Sequence, residues 1–316
     1  MPYLVGIDEA GYGPNLGPFV QTAASCWAPD TTCLWKRLRK VVCRANVEPR
    51  KRLVFDDSKK VYAAVDGLSQ LERGSLAVLN GQAASTIGGL LANVGIASSA
   101  TEIAAEPWFQ PEQPLPAFLP QEQLAESVER IGIDCQKQNV RWCAIRCLAT
   151  PAKRMNELLA DFDSKGAVAI RGVAALLAEI VAAIPADDEV AITVDKQGGR
   201  NFYAAMIQSA FPDGWVIVQH ESADESRYRV DGLDRPITLC FRPRAESASM
   251  PVALASMFSK YLREVFMHQF NQFWLTQVPG LEPTAGYPGD AARFMDAIRS
   301  KAAELGMGES SIWRKR

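Results

Sequence analysis

Histidine is nearly missing from this sequence: only His220 and His268 occur among 316 residues. An imidazole-rich metal centre is therefore not expected. Cysteine occurs seven times, an odd number, and no two are spaced as Cys-x-x-Cys. That argues against a disulfide frame and a zinc site, and for reduced thiols. Neither sign of charge dominates, with 34 Lys and Arg against 36 Asp and Glu. A nucleic-acid partner would have to be met by a local patch. No apolar run reaches bilayer-spanning length, and Met1 leads into a strand pattern with no signal sequence before it. A cytoplasmic protein with no membrane contact is expected. Any bound metal has to be held by carboxylates, which favours Mg²⁺ or Mn²⁺.

Along the chain, strand patterns alternate with helical ones, which predicts an α/β layer fold. "PYLVGID" is apolar on both faces, as in an interior strand, and Gly17 to Trp27 reads as a second strand. "TTCLWKRLRKVVCR" reads as a helix with one basic side, and Asp57 or Ser58 suits the cap of the next helix. Residues 62–138 are small, proline-rich in part and helical or irregular, and read as an insertion or subdomain. "VRWCAIRCLA" alternates like a strand, and residues 153–184 form one or two alanine-rich helices. "EVAITVD" is another buried strand, and "GGRNFYAAMIQSAF" looks helical. Strand-like pieces follow around Trp215–Val218, Tyr228–Val230 and Ile237–Phe241. Residues 249–316 read as helical, and no internal repeat is visible.

Two apolar strands, "LVGID" and "VAITVD", end on aspartates, Asp8 and Asp195. In α/β sheets, sites gather where strands end, so neighbouring strands would bring Asp8, Glu9 and Asp195 together. Like charges about 4 Å apart repel by roughly 4 kcal/mol at an effective dielectric near 20. Their pKa values should rise unless cations neutralise them. Successive strand residues face opposite ways, so Asp8 and Glu9 share a site only if the chain turns at once. Gly11 and Gly13 would permit that turn. The loop lacks the Gly-Lys-Ser/Thr ending of a P-loop.

"GIDEAGYGPNLGP" resembles the opening motif of the type 2 ribonuclease H family (ribonucleases HII and HIII). Four further blocks follow in the family's order: "DDSKK", "ITVDKQGG", "RAESASMPVALASMFSKYLRE" and "AGYPGDAARF". The resemblance implies a ribonuclease H-like mixed sheet flanked by helices, in a single catalytic domain over 1–316. It also implies metal-dependent cleavage of the RNA strand in RNA–DNA hybrids. By position, Asp8, Glu9, Asp195 and Glu246 would be the catalytic ligands of two Mg²⁺ or Mn²⁺ ions. One ion would activate water and the other would stabilise the leaving 3′ oxygen. Gly11, Tyr12 and Gly13 would meet the 2′-hydroxyl, Lys59 and Lys60 the phosphates, and Tyr287 the sugar or base. Glu264 takes the later acidic position of the fourth block as an accessory residue.

The sequence departs from the family in several places. Glutamate at position 246 follows the HIII pattern, yet no HIII-type N-terminal domain precedes Gly6. Tyr12 stands where the family motif has an arginine, so cleavage at a single embedded ribonucleotide is not expected. The intervals from Glu9 to Asp195 and from Asp195 to Glu246 are long, the second through "QHESADESRYRVDGLDRP". That piece offers Asp224 or Glu225 as rivals to Glu246, but only Glu246 keeps the family's spacing to Glu264. Glu264 also suits an ion pair with Lys260 one turn back, Tyr287 suits core packing, and Arg200 suits either phosphate contact or a structural cap. "KRLRK" and "EPRKR" suit ordinary charged faces. A monomeric hybrid-cleaving enzyme is the leading expectation, and a catalytically weak nucleic-acid binder is the alternative.

Overall fold

The computed structural model describes residues 2–30, 32–45, 52–162, 164–186, 188–197 and 199–315. Of the basic stretch "EPRKR", only Arg52 lies among the described residues. Nine strands form: β1 (Tyr3–Ala10), β2 (Phe19–Trp27), β3 (Val42–Cys43), β4 (Leu53–Val54), β5 (Arg141–Thr150), β6 (Val190–Asp195), β7 (Trp215–Glu221), β8 (Ser226–Asp231) and β9 (Ile237–Arg242). Seven of them build one mixed sheet in the order β5-β2-β1-β6-β9-β8-β7. The three central strands β1, β6 and β9 run parallel, while β2 and β5 on one side and β8 and β7 on the other run antiparallel. The fold is α/β, with helices on both faces of the sheet.

β1 sits at the centre because both its faces are covered. Tyr3, Val5 and Ile7 pack with Val173, Leu176, Leu177 and Ile180 of α8 (Lys165–Ala182). The opposite face meets α10 (Met250–Gln277), the longest helix described. That approach is close enough to require glycine. A Cβ at Gly6 would overlap the backbone of Pro251 and Val252. Further along α10, the Ser259 hydroxyl donates to Thr22 Oγ1 at 2.8 Å and to the Asp8 carbonyl at 3.2 Å. The helix therefore grips β1 at Gly6 and again at Asp8, where the strand is still paired with β2.

Residues 62–138 carry α3 (Gly67–Leu76), α4 (Ile87–Val94), α5 (Ala97–Ala104) and α6 (Gln121–Lys137), after α1 (Leu34–Arg37) and α2 (Ser58–Tyr62). They do more than lengthen a loop. β5 is an outer strand of the sheet, and such a strand exposes unpaired backbone groups. Gln82 fills that need, accepting from Ile145 N at 2.8 Å and donating to its carbonyl at 3.1 Å. Ser99 does the same at Ala149, at 2.7 and 2.8 Å. Within the region, buried Glu72 accepts from the Ala117 and Phe118 amides and from the Tyr261 hydroxyl, which ties α3 and the proline-rich connector to α10. Burial holds its carboxyl above the usual range.

Two elements differ from the sequence expectation. The helix over "TTCLWKRLRKVVCR" shrinks to α1, because β-branched Val42 pairs with Leu53 and draws the chain into the small parallel β3–β4 ladder. The Cys33 cap also supplies no side-chain bond. The helix in "GGRNFYAAMIQSAF" begins only at α9 (Ala204–Ala210). Its approach is held back by the Tyr203 amide donating to the Tyr228 hydroxyl at 2.9 Å. The remaining helices are α7 (Ala152–Phe162), α11 (Pro288–Glu304) and α12 (Glu309–Ile312). Among the described residues no disulfide joins the cysteines, and no helix is long and apolar enough to cross a membrane.

The tight crossing at Gly6 has a measurable consequence. Gly6→Ala should lower unfolding free energy by about 3 kcal/mol or more, since overpacking against backbone has no flexible side chain to yield. Urea denaturation checks this. An alanine variant within about 0.5 kcal/mol of wild type would contradict the packing described.

Candidate active site

A cleft of about 620 Å³ opens where β1 and β6 end. The parallel register pairs Ile7 with Val194, so the next residues, Asp8 and Asp195, lie side by side; β1 does not turn at once after Asp8 as expected but stays paired with β2 through Ala10. Both line the cleft, as do Glu9 and Glu246. Glu246 arrives from a different direction. After β9, Arg244 adopts a left-handed backbone (φ 56°), and the one-turn 3-10 helix Ala245–Ser247 follows, leading into α10. An arginine held in that region signals a locally over-determined turn. Asp195 stabilises it by accepting from the Ala245 amide at 2.9 Å, and Arg44 donates to the Ser247 carbonyl at 2.8 Å.

The four carboxylates are electrostatically uneasy. Burial, with the charges of Glu9 and Asp195 added, holds the Asp8 carboxyl well above the usual range. Its Oδ1 accepts from the Glu9 amide at 2.7 Å, which offsets only part of that cost. Glu9 is pushed up to about 7, again chiefly by burial, although Gln197 donates to its Oε2 at 3.0 Å. Asp195 and Glu246 are raised by burial too, with neighbouring acids contributing. Among the described residues, no Lys or Arg ion-pairs with any of the four.

Buried and half-buried oxygen-only donors of raised pKa, with no ion pair to any of them, suit a hard divalent cation in donor type. Their spacing is less compact than their type. Among the described residues, no three His, Cys, Asp or Glu side chains are gathered tightly enough to hold an ion as they stand. Drawing them together requires side-chain rotation, which their mutual repulsion opposes.

The cleft also holds residues that the sequence reading gave other roles or passed over. Asp57 caps α2 by accepting from the Lys59 amide at 2.9 Å, and it is also a fifth carboxylate of the cleft, raising the pKa values of Asp195 and Glu246. Its place inside "DDSKK", beside two lysines, was the available signal. Ser256 lines the cleft from α10 and donates a hydrogen bond that favours ionised Asp8. Ser58, Arg244 and Ser247 line it as well. Nothing in their sequence pattern separates them from ordinary turn and cap residues. Lys59 and Lys60 both reach the cleft, where Lys59 moderates Glu9 and Asp195 and Lys60 lies 3.5 Å from Asp56. The rivals Asp224 and Glu225 do not line it. Glu225, in the β7–β8 turn, is ion-paired with Arg227.

Other expected residues sit around the cleft rather than in it. Gly11 (φ +84°) is where the chain turns, and a Cβ there would lie 2.7 Å from Arg263 Cδ and 2.9 Å from the Pro18 carbonyl. Gly13 faces open space and keeps an ordinary φ, so the turn requires only the first of the two glycines. Tyr12 packs edge-on against Phe19, at 5.9 Å between centroids, and its hydroxyl and the Arg200 guanidinium flank Gly166. Tyr287 is 52% exposed at the start of α11, so it is not a core residue. Glu264 is engaged by Lys260 at 2.6 Å, Arg263 at 3.1 Å and the Tyr62 hydroxyl at 3.1 Å. The structure therefore gives Glu264 the ion pair with Lys260 and does not bring it into the cleft.

No family model and no curated protein matches the chain. Solved structures do. The PCNA:RNase HII complex from Archaeoglobus fulgidus aligns at 14% identity and TM-score 0.46, over 99% of this chain and 94% of that one. Ribonuclease H2 from Pyrococcus horikoshii OT3 aligns at 16% and 0.43, over 98% and 92%. Bst-RNase HIII in complex with Mn²⁺ aligns at 14% and 0.40, over 99% and 66%.

The raised acids set a pH dependence. Glu9 ionises near 4.5 in the unfolded chain but near 7 in the fold. Between these values the unfolded state binds fewer protons, so stability falls as pH rises through that window. Glu9→Gln should match wild type near pH 4.5 and exceed it by on the order of 2 kcal/mol at pH 8, with chelator present. Denaturant melts across this range check it. A gap that fails to widen with pH would contradict the assignment.

Proposed function

We propose that this chain is a type 2 ribonuclease H that hydrolyses the RNA strand of RNA–DNA hybrids. The observation that carries the reading is convergence. Four acids drawn from three separate motifs, spread from residue 8 to residue 246, line one cleft beside the adjacent parallel strands β1 and β6. A pure binding module has no physical reason to gather four carboxylates, one buried and three half-buried, without ion-pair partners.

In this reading Asp8, Glu9, Asp195 and Glu246 would hold two divalent ions, Mg²⁺ or Mn²⁺. When bound, the ions supply Lewis acidity, a nucleophile at neutral pH and charge stabilisation at the leaving oxygen. The protein's own part is placement. Lys59 and Lys60 stand at the cleft wall where backbone phosphates would lie, fixing position without reading sequence. Gly11, Tyr12 and Gly13 offer backbone to the 2′-hydroxyl, the group that distinguishes RNA from DNA. Exposed Tyr287 offers a face to sugar or base. Glu9, pushed up to about 7, is partly protonated near neutrality, and burial raises Asp8 in the same direction, so cation binding and deprotonation are coupled.

With Tyr12 where the family motif has arginine, a continuous hybrid should be cut in preference to a duplex carrying one ribonucleotide. Cleavage of both labelled substrates with each metal tests the reading. Asp8→Asn and Asp195→Asn should each lower kcat by about a thousandfold or more while leaving thermal stability equal or higher. Well-folded wild type that cuts neither substrate with either metal would overturn the proposal. Tight hybrid binding in that protein would favour the catalytically weak binder.

A further inference from the structure

The glycine-rich turn after β1 is held from behind by residues some 300 positions downstream. Arg314 is fully buried, and its Nη2 donates to the carbonyls of Gly11, at 2.7 Å, and Pro14. The two stretches are cross-bonded as well. Arg314 N donates to the Asn15 carbonyl at 2.8 Å, and Asn15 Nδ2 donates to the Arg314 carbonyl at 2.9 Å. Asn156 on α7 anchors the downstream segment in turn, donating to the Ser310 and Trp313 carbonyls and accepting from the Lys315 amide.

A guanidinium is a costly filler for such a place. Among the described residues no carboxylate pairs with it and its Nε and Nη1 have no partner, and burial beside Arg263 holds its pKa down to about 9. An apolar side chain would fill the space without burying a charge. What the charge adds is orientation. The C=O and N–H of one peptide unit point in opposite directions. Tying down the Gly11 carbonyl therefore aims the Tyr12 amide away from Arg314, on the exposed side of the turn. The Pro14 unit obeys the same rule: its carbonyl goes to Arg314 and the Asn15 amide goes the other way, to the Gly286 carbonyl at 2.8 Å. The Tyr12 amide has no protein acceptor among the described residues.

We propose that Arg314 is a positioning residue of the substrate loop, fixing the Tyr12 amide to donate to a ribose hydroxyl or phosphate oxygen of the nucleic acid. The inference rests on the hybrid-cleaving reading and adds a part to it. Arg314 touches neither ions nor substrate; it acts through the turn.

Arg314→Met and Arg314→Lys in the full chain test this. Arg314→Met should raise KM for hybrid about tenfold and leave kcat within about twofold, because ground-state contacts are lost while the carboxylates stay in place. It should also speed hydrogen exchange at the Asn15 and Leu16 amides about tenfold, with the β1 amides unchanged. Arg314→Lys keeps charge and donors and should recover most of both effects, and Arg314→Gln, which lacks the charge, carries the first comparison if the methionine variant does not fold. An unchanged KM in folded Arg314→Met, or in folded Arg314→Gln in its place, would overturn the proposal. So would exchange that rises equally in the turn and in β1, which marks general loosening. If wild type cuts no hybrid, the function falls, and the exchange contrast alone decides whether the turn is held in this way.

Discussion

The structure depends on a crossing that only a residue without a side chain allows. α10 lies so close to β1 that Gly6 has no room for a Cβ, and two residues later Asp8, still within the strand, accepts from Ser259 of the same helix. Because α10 also supplies Ser256 and is entered through the turn bearing Glu246, one packing contact sets three cleft residues relative to one another. The parallel register with β6 then adds Asp195. A cluster of buried like charges is unfavourable on its own, and a close-packed frame holds it in place because close-packed interiors transmit strain rather than relax it.

Residues 62–138 serve the same frame from outside. By pairing Gln82 and Ser99 with the outer strand β5, and by satisfying buried Glu72 between α3, the connector and α10, they close the sheet edge and brace the helix. The opposite edge is managed differently. β7 lies outermost in the β7–β8 hairpin, with Trp215 74% exposed, and its neighbour β8 carries the ion pairs Arg227–Glu225 and Arg229–Asp231. This hairpin accounts for the long interval between Asp195 and Glu246, and it leaves the strand order β1-β6-β9 intact.

Much of this was legible in the residues. Strands buried on both faces announce themselves by continuous apolar runs, which is why β1 and β6 and their aspartates stood out. Spacing to the α10 motif favoured Glu246 over Asp224 and Glu225, and of the three Glu246 lines the cleft. Other features were not legible, for physical reasons. A short helix gives way when a β-branched residue finds a strand partner elsewhere, as Val42 does. Asp57 reads as a helix cap because it is one, and its second role depends on which strands end nearby. Arg314 carries no pattern at all, since its partners are backbone carbonyls that any residue could supply.

The central claim is that Asp8, Glu9, Asp195 and Glu246 act as one ligand set. Calorimetric titration of the intact protein with Mn²⁺ near pH 7.5 tests it most directly, in wild type and in Asp195→Asn, Glu246→Gln and Glu264→Gln. The account predicts saturable binding that weakens about tenfold or more in the first two variants and is unchanged in the third, whose carboxylate is engaged by Lys260. Wild-type affinity in Asp195→Asn or Glu246→Gln would contradict it.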